Sequence, residues 1–164
     1  MTLLTERTLL RPFTLEDAPA AFIWFSDPEV MRFTPFGPDQ DLRSTEQRIN
    51  QYITAQGTRG FSKWIVLERE SHTPIGDAGI LWFEELQCFE LGYRLRRDRW
   101  GQGLATEIAL AWLARAHSLP FHQLSAFAHV DNFASHSVLK KSGFTQSRRA
   151  EVMGMDSLIF LRQV

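Results

Sequence analysis

A single cysteine, Cys88, stands in 164 residues, so no intramolecular disulfide and no C-x-x-C zinc or redox motif can form. That usage fits a reducing cytoplasm. Long apolar runs are also missing. The longest, Ile108 to Ala114, falls far short of the roughly 18–20 residues of a membrane span. Met1-Thr2-Leu3-Leu4-Thr5-Glu6-Arg7 has no apolar signal-peptide core. Neither sign of charge dominates: 18 Lys+Arg face 19 Asp+Glu, for a formal charge of −1. This excludes a strongly basic nucleic-acid binder. The five histidines (His72, His117, His122, His129, His136) never take a metal-ligand spacing, and no metal is expected. No repeat, low-complexity tract or Pro/Gly/Ser-rich linker divides the chain, so residues 1–164 are expected to form one cytoplasmic domain.

Periodicity supplies the elements. Thr8 to Phe13 reads as a strand, and Thr14 or Asp17 can cap a helix carrying Ala18, Ala21, Phe22 and Phe25. A loop with Phe33, Pro35, Phe36, Gly37 and Pro38 follows. A helix is expected from about Ser44 to Gln56, opened by a capping box at Ser44–Gln47 and ended by Gly57 and Gly60. The period then shortens to that of strands at Phe61–Glu68, Ile75–Phe83 and Cys88–Leu95, a meander. A helix from about Leu104 to His117, a strand at Gln123–Val130 and a helix from about Ala134 to Ser142 come next. Short strands at Ser147–Met153 and Ser157–Arg162 close the chain. The order predicts a mixed α/β (α+β) fold with a mostly antiparallel sheet of about six to seven strands.

One segment concentrates chemistry. On the strand Cys88–Leu95, alternation places Phe89, Leu91, Tyr93 and Leu95 on one face and Cys88, Glu90, Gly92 and Arg94 on the other. Glu90 therefore sits mid-strand, where a carboxylate is costly to desolvate. Arg94, Arg96, Arg97 and Arg99 follow, then Gly101-Gln102-Gly103 at the start of a helix. Glycines there can turn successive N–H groups toward one point, and the helix N-terminus adds partial positive charge, which suits a pyrophosphate. The same residues also read as a plain glycine turn. No G-x-x-x-x-G-K-[ST] string exists, and the dinucleotide fingerprint G-x-G-x-x-G breaks at Thr106, so a nucleotide-binding α/β protein has little support.

Together, four segments resemble the GNAT acyl-CoA N-acyltransferase superfamily. The phosphate loop is similar to Trp100-Gly101-Gln102-Gly103-Leu104-Ala105, with Trp at the usual Gln or Arg position. A second motif matches at Asn132, Ser135, Val138, Leu139, Lys141, Gly143 and Phe144. Leu3–Phe13 and Asp27–Phe33 resemble the branch of ribosomal-protein Ser/Ala N-terminal acetyltransferases (RimJ/RimL-like). The resemblance implies a sheet splayed between the strands at 88–95 and 123–130, with helices on both faces. Acetyl-CoA would lie in that cleft as co-substrate. Tyr93, Arg94 and Leu95 would supply main-chain contacts, and Trp100, Gly101, Gln102, Gly103, Leu104 and Ala105 would hold the pyrophosphate. Arg97, Arg99, Lys140 and Lys141 either attract phosphate charge or are solvated. Asn132 either contacts the pantetheine or caps the following helix.

The implied reaction is direct transfer of an acetyl group to a primary amine in a ternary complex. Glu90 is the candidate base, against a structural carboxylate paired with an arginine. Ser135 is the candidate proton donor to the CoA thiolate, against a first-turn helix serine. Cys88 reads as a buried thiol, and Glu107 as a favourable charge on a helix dipole. Phe33, Phe36 and Trp82 are the candidate acceptor-pocket residues. Asp27, Glu29, Asp39, Asp41, Glu84 and Glu85 either attract a cationic amine or are solvated. The acceptor is a protein N-terminus or a small-molecule amine, and the chain a monomer or homodimer acting on neither nucleic acid nor membrane. The alternative is a non-catalytic acyl-CoA-binding module of the same fold.

Overall fold

The computed structural model describes residues Met1–Val164. Eight strands form one sheet: β1 (Leu3–Leu4), β2 (Thr8–Pro12), β3 (Lys63–Glu68), β4 (Pro74–Phe83), β5 (Cys88–Leu95), β6 (Gln123–His129), β7 (Thr145–Val152) and β8 (Met155–Gln163). Their spatial order is β1-β2-β3-β4-β5-β6-β8-β7. Every neighbouring pair is antiparallel except β5 and β6. The expected six to seven strands become eight because β1, with only two residues, pairs Leu3 with Leu10 and Leu4 with Leu9. Two residues are too few to leave an alternation in the sequence.

Helices α1 (Ala18–Phe25), α2 (Leu42–Arg59), α3 (Leu104–Ala116) and α4 (Phe133–Lys141) cover both faces. Strand β3 shows why. Its residues 63–67 are all buried, and alternation sends Trp64 and Val66 to one side and Ile65 and Leu67 to the other. Trp64 and Val66 join Leu91, Leu95, Ile108 and Trp112 in a core under α3 and α4. Trp64 meets Trp112 edge to face, with ring centroids 5.0 Å apart. Ile65 and Leu67 join Trp24, Phe25, Ile49 and Tyr52 in a second core under α1 and α2. No helix is long and apolar enough to cross a membrane.

Several boundaries shift for local reasons. Helix α2 is capped by Asp41, whose carboxylate accepts the Ser44 N–H at 2.8 Å, and not by Ser44 itself. It runs through Gly57 and stops at left-handed Gly60. Thr14 and Asp17 form a reciprocal cap on a short turn leading into α1. The β7–β8 turn places Met153 and Gly154 both at positive φ, the geometry of a two-residue hairpin turn.

The second core contains an ion pair built on a fully buried carboxylate, Asp77, and a mostly buried guanidinium, Arg94. Asp77 on β4 accepts Arg94 Nη2 at 2.8 Å and Nε at 3.1 Å. It also accepts the Trp24 indole at 3.0 Å, while Arg94 donates to Tyr52 Oη at 3.0 Å. The guanidinium lies 5.0 Å from the Phe25 ring centroid. Burial works against the Arg94 charge, but Asp77 and Tyr52 outweigh it and raise its pKa. Nearer the surface, Arg11 makes two bonds to Asp17, at 2.7 and 2.8 Å.

Two outcomes test this arrangement. Asp77→Ala strands a buried guanidinium and is expected to cost about 3–5 kcal/mol in urea denaturation, against near-zero cost for an exposed control such as Glu70→Ala. Asp17 gives a pH test. Burial opposes its charge, but the bonds from Arg11 and Thr14 prevail and hold its pKa below 3.8. Its contribution is full above the ordinary carboxylate range and is lost as pH falls through the lowered folded value. Asp17→Asn should therefore lower the melting temperature at neutral pH and flatten the acid side of the stability curve.

Candidate active site

The sheet parts between β5 and β6. These strands share one residue pair, Glu90 with Ser125, whereas β6 pairs with β8 along its whole length, Gln123 to His129. Beyond Glu90 the backbone of β5 faces a gap. The Arg96 N–H donates to Ile75 O at 2.7 Å. Even-numbered residues of this stretch thus turn their backbone groups toward β4, and Tyr93 and Leu95 turn theirs into the gap. The Trp100 indole takes the Leu95 carbonyl at 2.9 Å, which leaves both backbone groups of Tyr93 and the Leu95 N–H facing the cleft. Arg94 does not share that placement. Its backbone is paired with Asp77 across β4, and its side chain is locked in the buried ion pair.

Glu90 sits where the strands part and is 8% exposed. Its charged neighbour is Lys63 of β3, with Nζ 3.8 Å from Oε2, rather than an arginine. Lys63 reaches it across β4 because Gly92 has no side chain. A Cβ at Gly92 would lie 2.2 Å from Lys63 Nζ and 2.8 Å from Glu90 Oε1. Lys63 escapes notice in a reading by motif. Its signal is a lone charge at the head of an otherwise apolar strand.

Across the gap, α4 presents Ser135. Its Oγ is 2.9 Å from the Tyr93 hydroxyl, and burial pushes the Tyr93 pKa up, so this phenol stays protonated. Asn132 is the N-cap of α4 and accepts the Ser135 N–H at 3.3 Å. At the other end of the cleft, the turn before α3 holds Gly101 at φ 72° and Gly103 at φ 76°. Gly103, at the N-cap, needs that backbone freedom. Arg7 fixes the turn from outside, donating to the Gln102 carbonyl at 2.8 Å and pairing with Glu107 at 2.7 Å. Glu107 is therefore an anchor for Arg7 as well as a charge on the helix.

The cleft has a volume of about 1110 Å³. Its walls include Glu90, Tyr93, Leu95, Ser135, Asn132, Lys141 and every residue from Arg99 to Thr106. Phe33 and Phe36 roof it. The Phe33 ring stacks on His129 at 5.0 Å, which carries the loop across to β6, and Phe36 is 95% exposed. Other expected residues lie elsewhere. Trp82 is off the cleft, packed on Phe89 and bonded to Glu84 at 2.6 Å. Lys140 points away, and Lys141 is the one on the wall. Cys88 is off the wall too, and burial raises its thiol pKa. Arg97 is paired with Asp27 and Arg99 with Glu68. Among the acids near the acceptor end, Asp39 is held by Arg48 and Thr45, Asp41 caps α2, Glu84 holds Trp82 and Gln87, and Glu85 accepts the Met153 N–H. Glu29 alone of these acids is uncommitted.

This geometry has counterparts. The family model described as the acetyltransferase (GNAT) domain matches residues 7–145. The Bacillus licheniformis protein named "Uncharacterized N-acetyltransferase p20" is 32% identical over 148 residues, covering 87% of this chain and 82% of that protein. The crystal structure of an acetyltransferase from Agrobacterium tumefaciens superposes with a TM-score of 0.85 at 27% identity, covering 99% of this chain and 94% of the other. RimL, a ribosomal-protein alpha-N acetyltransferase solved with coenzyme A, shares the fold at a TM-score of 0.86 and 16% identity, covering 100% and 98% of the two chains. A sheet parted at one residue pair, a glycine turn feeding α3 and a match over most of its length together make this chain an acetyltransferase of the GNAT family.

Proposed function

We propose that the chain transfers an acetyl group from acetyl-CoA to a primary amine by direct attack within one ternary complex. The observation that carries this reading is the parting of β5 and β6 at Glu90, which leaves the Tyr93 backbone groups without a strand partner. Buried backbone polar groups are almost always paired, and the amide-bearing pantetheine arm supplies partners of the right kind. The glycine turn fits the pyrophosphate, since N–H groups at the start of α3 face the cleft with the helix dipole behind them. Lys141 adds positive charge on the same wall. The thioester supplies an activated acyl group.

The chain's residues then divide the proton work. Glu90, low in the cleft, takes the proton that the attacking amine must shed. Ser135, on α4 across the gap from β5, gives a proton to the departing sulfur, with the Tyr93 hydroxyl bonded to it as a reserve. Tyr93 suits that role because burial keeps it protonated. No cysteine lines the cleft, which favours direct attack over an acetylated thiol on the enzyme.

Calorimetry with acetyl-CoA, NAD and ATP tests the binding half. Near one-to-one binding of acetyl-CoA alone is expected, and folded protein that takes up none would sink the proposal. Steady-state kinetics tests the rest. Glu90→Gln should lower kcat by about 10²–10⁴-fold with acetyl-CoA affinity little altered. Ser135→Ala should lower kcat less, because the Tyr93 hydroxyl remains in place to donate. Wild-type rates in both variants would remove these residues from the mechanism.

A further inference from the structure

One end of the cleft holds two mostly buried charges of opposite sign whose polar atoms open onto the cavity. Lys63 and Glu90 are each 8% exposed. Their charged atoms lie 3.8 Å apart, beyond hydrogen-bond reach, and neither makes a hydrogen bond to any other protein group. A buried ammonium has three donors to place, and a carboxylate about four lone-pair sites. Water fills these positions in the open cleft, and a ligand that displaces it must replace its hydrogen bonds. Two arginines of this wall are committed elsewhere, Arg48 to Asp39 and Arg94 to Asp77. At the mouth, Arg32 lies over the Phe33 ring, 5.0 Å from its centroid. Lys63 and Glu90 are the mostly buried pair left open to a ligand, and both line the cleft.

Their partner must offer an oxygen to Lys63 and an N–H to Glu90 on closely spaced atoms. An anionic oxygen is favoured, since charge-assisted hydrogen bonds are about twice as strong as neutral ones. An α-amino carboxylate has this pattern, with its amine and carboxylate on one carbon. The surrounding surface is apolar. Leu81 lies directly opposite Glu90 in the β4–β5 register. The Phe83 and Phe127 rings meet with centroids 4.8 Å apart, and Phe33 closes the roof. Two wall acids, Glu29 and Asp131, leave their carboxylates without a hydrogen bond, too few for a patch that would collect a polycation, and the other nearby acids are held by other groups.

We infer that the acceptor is a free α-amino acid with an apolar side chain, and that Lys63 determines this specificity by receiving its carboxylate. The inference rests on the acetyl-transfer reading and names the substrate class of the same site. In the step, the neutral amine nitrogen bonds to the acetyl carbon and the carbon–sulfur bond breaks, its electron pair leaving with sulfur. The nitrogen's surplus proton passes to Glu90, the thiolate takes a proton from Ser135, and Ser135 regains one from Glu90 through solvent, so the enzyme is restored. The products are an N-acetyl amino acid and free CoA.

The test measures CoA release with three matched sets of acceptors. These are free phenylalanine, leucine and methionine, then their amides, then the amines that lack the carboxylate altogether. The wild type should prefer the free acids over the decarboxylated amines by about ten- to a hundred-fold in kcat/KM, chiefly through KM. Lys63→Met should erase that preference, and Lys63→Arg, which keeps a donor, should restore part of it. The wild-type comparison stands even if a variant fails to fold. Equal or better use of the decarboxylated amines overturns the inference. Preference for the amides overturns it in favour of a peptide N-terminus. Calorimetric binding of acetyl-CoA with none of these compounds acetylated overturns it while leaving the acetyl-CoA site intact. Absence of acetyl-CoA binding removes both readings.

Discussion

The buried pair between Asp77 and Arg94 is the constraint around which the first half of the molecule is arranged. It joins β4 to β5, takes the Trp24 indole from α1 and reaches Tyr52 on α2. Charges this deep are costly unless paired and hydrogen-bonded, so the elements that supply these partners are held in one geometry. That geometry orients β5. With the Arg94 side chain anchored under α1 and α2, the alternation of the strand sends Glu90 and Gly92 to the same face, on the cleft wall. The odd-numbered face carries Leu91 and Leu95 into the opposite core. One strand thus supplies a structural ion pair, a carboxylate in the cleft and a wall of hydrophobic core.

The cleft is a deliberate interruption of a rule that the rest of the sheet obeys. Strands normally pair along their length because unpaired backbone groups are expensive. Strand β5 does so with β4 over eight residues and with β6 at one. The interruption is held open from both sides. On one side β8 pairs with the full length of β6. On the other, Trp100 caps the Leu95 carbonyl and Arg7 steadies the turn that follows. Phe33, stacked on His129, then spans the opening from above.

Much of this arrangement was legible in the residues. The change from helical to strand-like period after Gly60, the capping residues and the glycine turn locate seven of the eight strands and all four helices. The mid-strand position of Glu90 signals its unusual setting. What escaped was information carried by partners distant in sequence. Arg94 looks like one member of a basic run, and only its contact with Asp77 separates it from the arginines that face solvent. Lys140 and Lys141 are neighbours in sequence but point about 100° apart around a helix, so a motif spacing alone does not say which one meets the cleft. Trp82 reads as a pocket aromatic until its strand face is known. Lys63 meets Glu90 only through the absence of a side chain at Gly92, a relation that spans three strands.

The clasp between Arg7 and the turn before α3 also bears on how the molecule assembles. The contacts of Arg7 with Gln102 and Glu107 span 95 and 100 positions of the chain. Contacts of such separation carry a loop-closure cost that delays their formation. The final shape of the glycine turn therefore depends on the docking of the first segment of the chain against the start of α3. Its shape is a property of the closed domain and not of the hexapeptide that spells it.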